Sequence, residues 1–179
     1  LARKEAIEFA AAILVAAAFL LVPFFIPYQS LGPFGYLGAF LMALISSATI
    51  LVPGTILPII AMMGIQYSPV ALGIVCGLGS ALGELTGYYT GYYGRYTLNL
   101  KDMPEFEKQK AWLKDSEFLA LFVLAAIPNP LFDIAGLAAG TIKIPVQRFF
   151  LPVFAGKVLK YAVTAWLGLS AWGWLVSLG

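Results

Sequence analysis

AAIPNPLFDIAGLAAG, residues 125–140, decides how this chain folds. The stretch is apolar at both ends, yet it cannot be one uninterrupted helix. Pro128 and Pro130 remove two backbone donors and push Ile127 and Asn129 away from the α region. Asn129 and Asp133 set an amide and a carboxylate beside the break. The helical pieces on either side, 117–127 and 133–142, hold 11 and 10 residues. At 1.5 Å per residue each is about 15 Å long, half of a bilayer core roughly 30 Å thick. The pattern predicts a re-entrant hairpin that descends to the midplane, breaks and returns to the same side. Broken backbone at that depth persists only where it is buried in protein or lines a wet cavity. The break is therefore a candidate site.

The bulk composition agrees with a membrane setting. The 179 residues are 61% hydrophobic and only 11% charged, against about 25% charged in soluble domains. An integral membrane protein is the expectation. There is no histidine, and Cys76 is the single cysteine. That excludes a disulfide within the chain and argues against a transition-metal site. Cys76 lies in an apolar run and reads as a packing residue. No glycine-rich phosphate loop follows a strand pattern, and no nucleophile–base–orienter set is visible. Neither an enzyme activity, a cofactor nor a nucleic-acid partner is expected.

Outward from the opening stretch, the chain divides into 1–35, 36–168 and 169–179. Residues 6–26 are nearly all apolar and long enough to span. They exceed a signal-peptide core and lack a small-residue cleavage site, so a retained helix is expected, followed by a Pro- and Gly-rich turn. The chain begins at Leu1 and not at Met, which predicts a trimmed N-terminus. Residues 36–51 are helical in character and stop at Pro53-Gly54. A second piece, 56–67, carries Pro58 in its first turn, where proline is tolerated. This is a second candidate re-entrant hairpin, with Pro53 and Gly54 at its tip. Pro69 starts a helix running to about Arg95. Its Gly73, Gly77, Ser80, Gly83, Gly87 and Gly91 recur at steps of three and four, a close-packing face that includes Glu84. Tyr88, Tyr89, Tyr92, Tyr93 and Tyr96 read as an interfacial belt. Residues 101–116 form the only long polar stretch. Asp102 and Glu105 mark a helix start there. A surface helix is predicted, with Phe106, Trp112 and Leu113 toward lipid and Ser116 capping the next limb. Pro145 starts a spanning helix to about Trp166. The remaining 169–179, with Trp172 and Trp174, reads as an interfacial tail or the start of a truncated helix.

The two halves, 36–96 and 117–168, match at a constant offset of 76: Gly54 on Pro130, Gly64 on Gly140, Pro69 on Pro145, Glu84 on Lys160. One spanning helix separates the hairpins, so they should enter from opposite sides. The fold class expected is an all-α integral membrane protein, an inverted repeat with two facing re-entrant hairpins plus spanning helices. A cytoplasmic N-terminus puts Arg3, Lys4, Arg95, Lys101, Lys108, Lys110, Lys114, Lys143 and Arg148 inside and leaves the outer turns uncharged. In a prokaryote the membrane would be the cytoplasmic (inner) one.

Four charges remain near the predicted midplane: Glu84, Asp133, Lys157 and Lys160. Each costs roughly 2.5–3.5 kcal/mol on an insertion scale, and such groups usually face the bundle interior and pair. They are either a transport site or an ion-pair network that only fixes packing. Glu84 and Lys160 are equivalent under the offset, each 15 residues after its helix-starting proline, so they are the expected pair. Lys157 is the alternative partner, although its stem can snorkel to lipid headgroups. Asp133 either acts at the site or merely caps the returning limb.

IPNPLFDIAG (127–136), GLGSALGELTGYY (77–89) and AGKVLKY (155–161) resemble the DedA/VTT-domain superfamily, formerly labelled SNARE-associated Golgi proteins, and in particular its vacuole membrane protein 1-like members. The resemblance covers about 36–168. It implies two facing re-entrant hairpins, phospholipid scrambling in eukaryotic members, and recycling of polyprenyl phosphate carriers with proton coupling in bacterial relatives. Glu84, Asn129, Pro130, Asp133, Gly136 and Lys157 carry over residue by residue. Many bacterial members have an acid where this chain has Thr55, and arginines in the second hairpin, where none lies between Arg95 and Arg148. Arginine is the natural bidentate partner of phosphate, so its absence favours the scramblase-like branch. The leading expectation is an ATP-independent lipid scramblase with a polar groove at the hairpin tips. The alternatives are a proton-coupled transporter of a polyprenyl phosphate or other anion, with Asp133 or Glu84 carrying the proton, and a non-transporting scaffold. The expected partners are membrane lipids, phospholipid or polyprenyl phosphate, with homo-oligomerisation left open.

Overall fold

The computed structural model describes residues 34–48, 56–94, 104–128 and 132–177. Every regular element among them is helical: α1 (Phe34–Ala48), α2 (Ile56–Met63), α3 (Pro69–Gly94), α4 (Pro104–Asp115), α5 (Glu117–Ala126), α6 (Phe132–Thr141) and α7 (Val146–Ser177). Pro53, Gly54, Asn129, Pro130 and the stretch 6–26 lie outside the described residues. Among the described residues, α3 and α7 alone are long and apolar enough to cross a membrane. The 8 residues of α2 and the 10 each of α5 and α6 reach about 12 to 15 Å.

Local chemistry sets the helix ends. Ile127 is extended, with φ −86° and ψ 133°, because the ring of Pro128 disfavours helical backbone before it. That stops α5 at Ala126. The end of α6 is a Schellman turn: the Ile144 amide donates to Ala139 O at 3.1 Å and the Lys143 amide to Gly140 O at 3.0 Å. Lys143 takes the left-handed position that glycine usually fills, with φ 59°. Its ammonium lies 5.5 Å from the ring centre of Tyr92.

The two long helices cross as an antiparallel pair. Lys143 meets Tyr92, Phe149 stacks on Tyr88, and Val158 and Ala162 meet Gly77 and Gly73. The shorter helices pack reciprocally around them. α1 lies on α3 and α5 on α7, while α2 lies on α7 and α6 on α3. Glycines make both crossed contacts. A Cβ at Gly64 would overlap the carbonyl of Ala165, and one at Gly140 the carbonyl of Tyr88. Likewise Gly168 abuts Ala61, and Gly91 abuts Leu137. Gly64 and Gly140, and Ala61 and Leu137, are each 76 residues apart. The chain also enters and leaves the α1–α2 excursion at one end, since Tyr36 packs edge-on against Tyr67 and its hydroxyl accepts the Ser68 amide.

Two apolar clusters result. One joins α1 and α2 to Leu72, Cys76, Tyr161 and Ala165. The other joins α4, α5 and α6 to Ala81, Tyr88, Phe149 and Val153. Several expectations change here. Phe106 and Leu113 are 2% and 1% exposed. They point into the second cluster and leave Trp112 as the exposed aromatic, because positions seven apart share the face that α4 presses onto α6. Tyr88 leaves the aromatic belt for the interior and donates its hydroxyl to Ile144 O at 2.5 Å. Tyr89 and Tyr93 are exposed. Ser116 occupies the position before α5, but its side chain makes no capping bond. The small-residue face of α3 serves successive neighbours, α7 at Gly73 and Gly77 and α6 at Gly91. Finally, α7 runs unbroken past Trp166 to Ser177, where no proline or glycine cluster interrupts it, and Trp172 and Trp174 are exposed on that extension.

If the crossed glycine contacts hold the fold together, Gly140→Ala should lower stability by about 1–3 kcal/mol through overpacking. Gly38→Ala, with nothing within 4 Å, should be neutral or stabilising by helix propensity. Thermal unfolding of both variants in detergent checks this, and equal melting temperatures would refute it.

Candidate functional site

Between the two apolar clusters lies a polar layer at the α3–α7 crossing. Ser80 and Glu84 sit four apart on α3, and Lys157 and Tyr161 four apart on α7. Four-residue spacing stacks side chains on one helix face. The antiparallel register therefore sets one pair against the other. Lys157 Nζ donates to Glu84 Oε1 at 2.5 Å, with the two side chains 5% and 4% exposed. The same ammonium lies 4.6 Å from the ring centre of Phe132, the first residue of α6. Tyr161 donates to Ser80 Oγ at 3.3 Å, and Ser80 Oγ lies 2.5 Å from Ser47 Oγ on α1. Burying these groups is tolerable because each has a partner.

The expected pair of Glu84 with Lys160 is not the one formed; Glu84 takes Lys157. The register explains it. Gly77 meets Val158 and Ser80 meets Tyr161, so the crossing lies near Ser80 and Lys157. Glu84 and Lys160 are each displaced from it toward the C-terminal end of their own helix. On antiparallel helices those displacements point apart. Lys160 is half-buried, and its ammonium lies 4.9 Å from the ring centre of Tyr161.

Asp133 sits in the first turn of α6, half-buried, where a carboxylate complements the helix dipole. It lies within the field of both Lys157 and Lys160. Among the described residues neither Asp133 nor Lys160 has a salt-bridge partner. Both α6 and α7 pack on α3, yet they make little contact with each other. The spacing of α6 from α3 also widens toward Asp133. At the far end Gly91 and Gly140 leave no room for a Cβ, whereas a Cβ at Gly87 would meet nothing nearer than Asp133 O at 3.9 Å, and one at Gly136 nothing nearer than 3.7 Å. The four charges thus gather where α3, α6 and α7 meet, Glu84 on α3, Asp133 on α6, and Lys157 and Lys160 side by side on α7.

Sequence reasoning named all four charges and missed three supporting groups. Phe132 reads as an ordinary apolar residue of the limb. Tyr161 carries a usable signal, its four-residue step from Lys157. Ser47 carries none, because its partner is set by the α1–α3 packing. Pro128 is exposed beyond the end of α5.

The buried pair should show strong energetic coupling. Lys157→Met alone strands the Glu84 carboxylate and should cost about 3–5 kcal/mol. Adding Glu84→Gln should restore most of that loss. A double-mutant cycle read by thermal stability in detergent measures it, and additive losses would refute the pairing.

The VTT domain profile matches residues 52–170, which takes in α2 to α6, most of α7 and all four of the clustered charges. The chain is similar to the vacuole membrane protein KMS1 of Arabidopsis thaliana, 43% identical over 54 residues, 28% of this chain and 13% of that protein. It is also similar to the vacuole membrane protein 1 homolog of Dictyostelium discoideum, 39% identical over 56 residues, 31% of this chain and 14% of that one. The matched stretch thus spans only a small part of those relatives' length. No solved structure matches the chain. On the extent of the profile match and the helices it encloses, this membrane protein belongs to the VTT domain family.

Proposed function

We propose that the protein is an ATP-independent lipid scramblase, moving phospholipid headgroups past the charged groups where α3, α6 and α7 meet while the acyl tails stay in the bilayer. The observation that carries this reading is the cluster of four charges, Glu84, Asp133, Lys157 and Lys160, gathered inside an otherwise apolar helical bundle where α3, α6 and α7 meet. Intramembrane charges of this kind mark substrate pathways. The similarity to vacuole membrane proteins supports the membrane setting that this reading needs. The antiparallel α3 and α7 and the reciprocal packing of α2 and α6 support an inverted repeat. In this reading α1–α2 and α5–α6 are re-entrant hairpins facing each other from opposite leaflets, with the N-terminus cytoplasmic.

Proteoliposomes with a fluorescent phospholipid, quenched from outside, test the activity. Loss of clearly more than half of the signal without any ion gradient is expected, and Asp133→Asn should retain the fold but lose most of that extra loss. Quenching that stops at half refutes scrambling. Flux that appears only with a proton gradient moves the assignment to a coupled transporter.

Topology has its own test. Single cysteines at Ser116 and Lys143 should be labelled from one side of the membrane and a cysteine at Ser68 from the other. Labelling of Ser116 and Lys143 from opposite sides would rule out the second hairpin.

A further inference from the structure

The far end of α7 projects beyond the helices it packs on. Gly73 of α3 meets Ala162, so the start of α3 at Pro69 lies level with about Trp166. Ala165 packs on Gly64 and Gly168 on Ala61. Beyond them every residue from 169 to 177 is exposed, and a Cβ at Gly173 would meet nothing within 4 Å. No charged residue lies between 161 and 177. Leu169, Trp172 and Val176 follow Ala165 at steps of four, three and four, so they continue the side of α7 that Ala165 turns to α2. A bilayer does not cover all of this end. Arg148, exposed near the start of α7, belongs at the membrane surface. From Arg148 to Ser177 the helix rises about 41 Å at a tilt of about 20°, against a hydrocarbon core of roughly 30 Å. The outermost turns therefore leave the hydrocarbon while exposing Trp172, Trp174, Leu175 and Val176. An apolar patch of that kind at a water boundary marks a contact surface.

We infer that the chain's own apolar run 20–28, LLVPFFIPY, docks on this surface, across the side of α7 that carries Leu169, Trp172 and Val176. Residues 1–33 lead into α1, and α1 starts at this same end of the molecule. A Cβ at Gly35 would overlap the Tyr67 ring, and Tyr36 packs edge-on against Tyr67. Gly64, three residues before Tyr67, is the residue that touches Ala165. The entry to α1 and the last packed turn of α7 are therefore neighbours. From residue 28 to residue 34 the chain can span about 21 Å, enough to bring the run onto α7. The run holds no charge, and Phe24, Phe25 and Tyr28 give it aromatic faces to set against Trp172. A second copy of the protein would meet the other side of the helix more readily, at Ser170 and Trp174, because that side turns away from α2. The run lies outside the matched span 52–170, and its docking does not depend on lipid movement.

Disulfide cross-linking of the full chain in membranes tests this, in a Cys76→Ala background. Val176→Cys is combined in turn with a cysteine at each position of 20–28, and a protease site is inserted after Ser30. After mild oxidation and cleavage, only a disulfide keeps the N-terminal fragment with the body, and it forms only where the two Cα atoms come within about 7 Å. At one or more positions the fragment should be retained and then released by reductant. The same scan with Ser170→Cys, on the opposite side of α7, should retain several-fold less. Val176 and Ser170 are both exposed, so a cysteine at either disturbs no packing, and a melting curve in detergent shows that each variant is folded. Retention at no position with Val176→Cys overturns the inference, and so does equal retention with Val176→Cys and Ser170→Cys. Disulfide dimers of Val176→Cys alone, with no cysteine in 20–28, assign the surface to a second copy and overturn it as well.

Discussion

The fold depends on the ion pair between Glu84 and Lys157. Two charges are removed from solvent at the place where the two longest helices cross. Each alone would be prohibitive there, and together they are tolerable only in close, well-directed contact. That requirement fixes the rotation of α3 and α7 about their own axes and their register along each other. The glycines at 73 and 77 let the backbones come near enough for the contact to form. Once the register is set, Tyr161 finds Ser80, Tyr88 finds Ile144, and the short helices have defined surfaces to pack on.

The pair also divides the interior. Apolar side chains from α1 and α2 gather on one side of it, and those from α4, α5 and α6 on the other. In lipid the hydrophobic effect gives little reason for helices to associate, so packing and interhelical polar contacts have to do so. The structure uses both. Small residues bring backbones together at both crossed contacts, and the polar layer links α1, α3 and α7 through Ser47, Ser80 and Tyr161.

Much of this was legible in the sequence, and what escaped has a common cause. Prolines and glycines act locally, so the end of α5 before Pro128, the start of α3 at Pro69 and the correspondence of Gly64 with Gly140 could be read directly. The four charges at membrane depth were legible because they are rare in such a composition. Which of them pair was not, because pairing depends on where two distant helices cross. Two lysines three residues apart on one helix look alike in sequence, and only the crossing point near Lys157 separates them. Phe106, Leu113 and Tyr88 were misplaced for the same reason. An apolar or aromatic residue at a helix surface looks equally suited to lipid and to protein until the neighbour is known. The extent of α7 was misread because a length sufficient to span was taken as a stopping point, although nothing in 167–177 stops a helix.

One asymmetry in α6 bears on which side chains the helix tolerates. Its C-terminal half lies backbone to backbone on α3, with Leu137 against Gly91, Gly140 against Tyr88, and the Schellman turn tied down by the Tyr88 hydroxyl. Its N-terminal half keeps an ordinary contact distance, since a Cβ at Gly87 would come no nearer than 3.9 Å to Asp133 O and one at Gly136 no nearer than 3.7 Å to its neighbours. Substitution is therefore graded along one short helix: a methyl group fits beside Asp133 and has no place two turns further on.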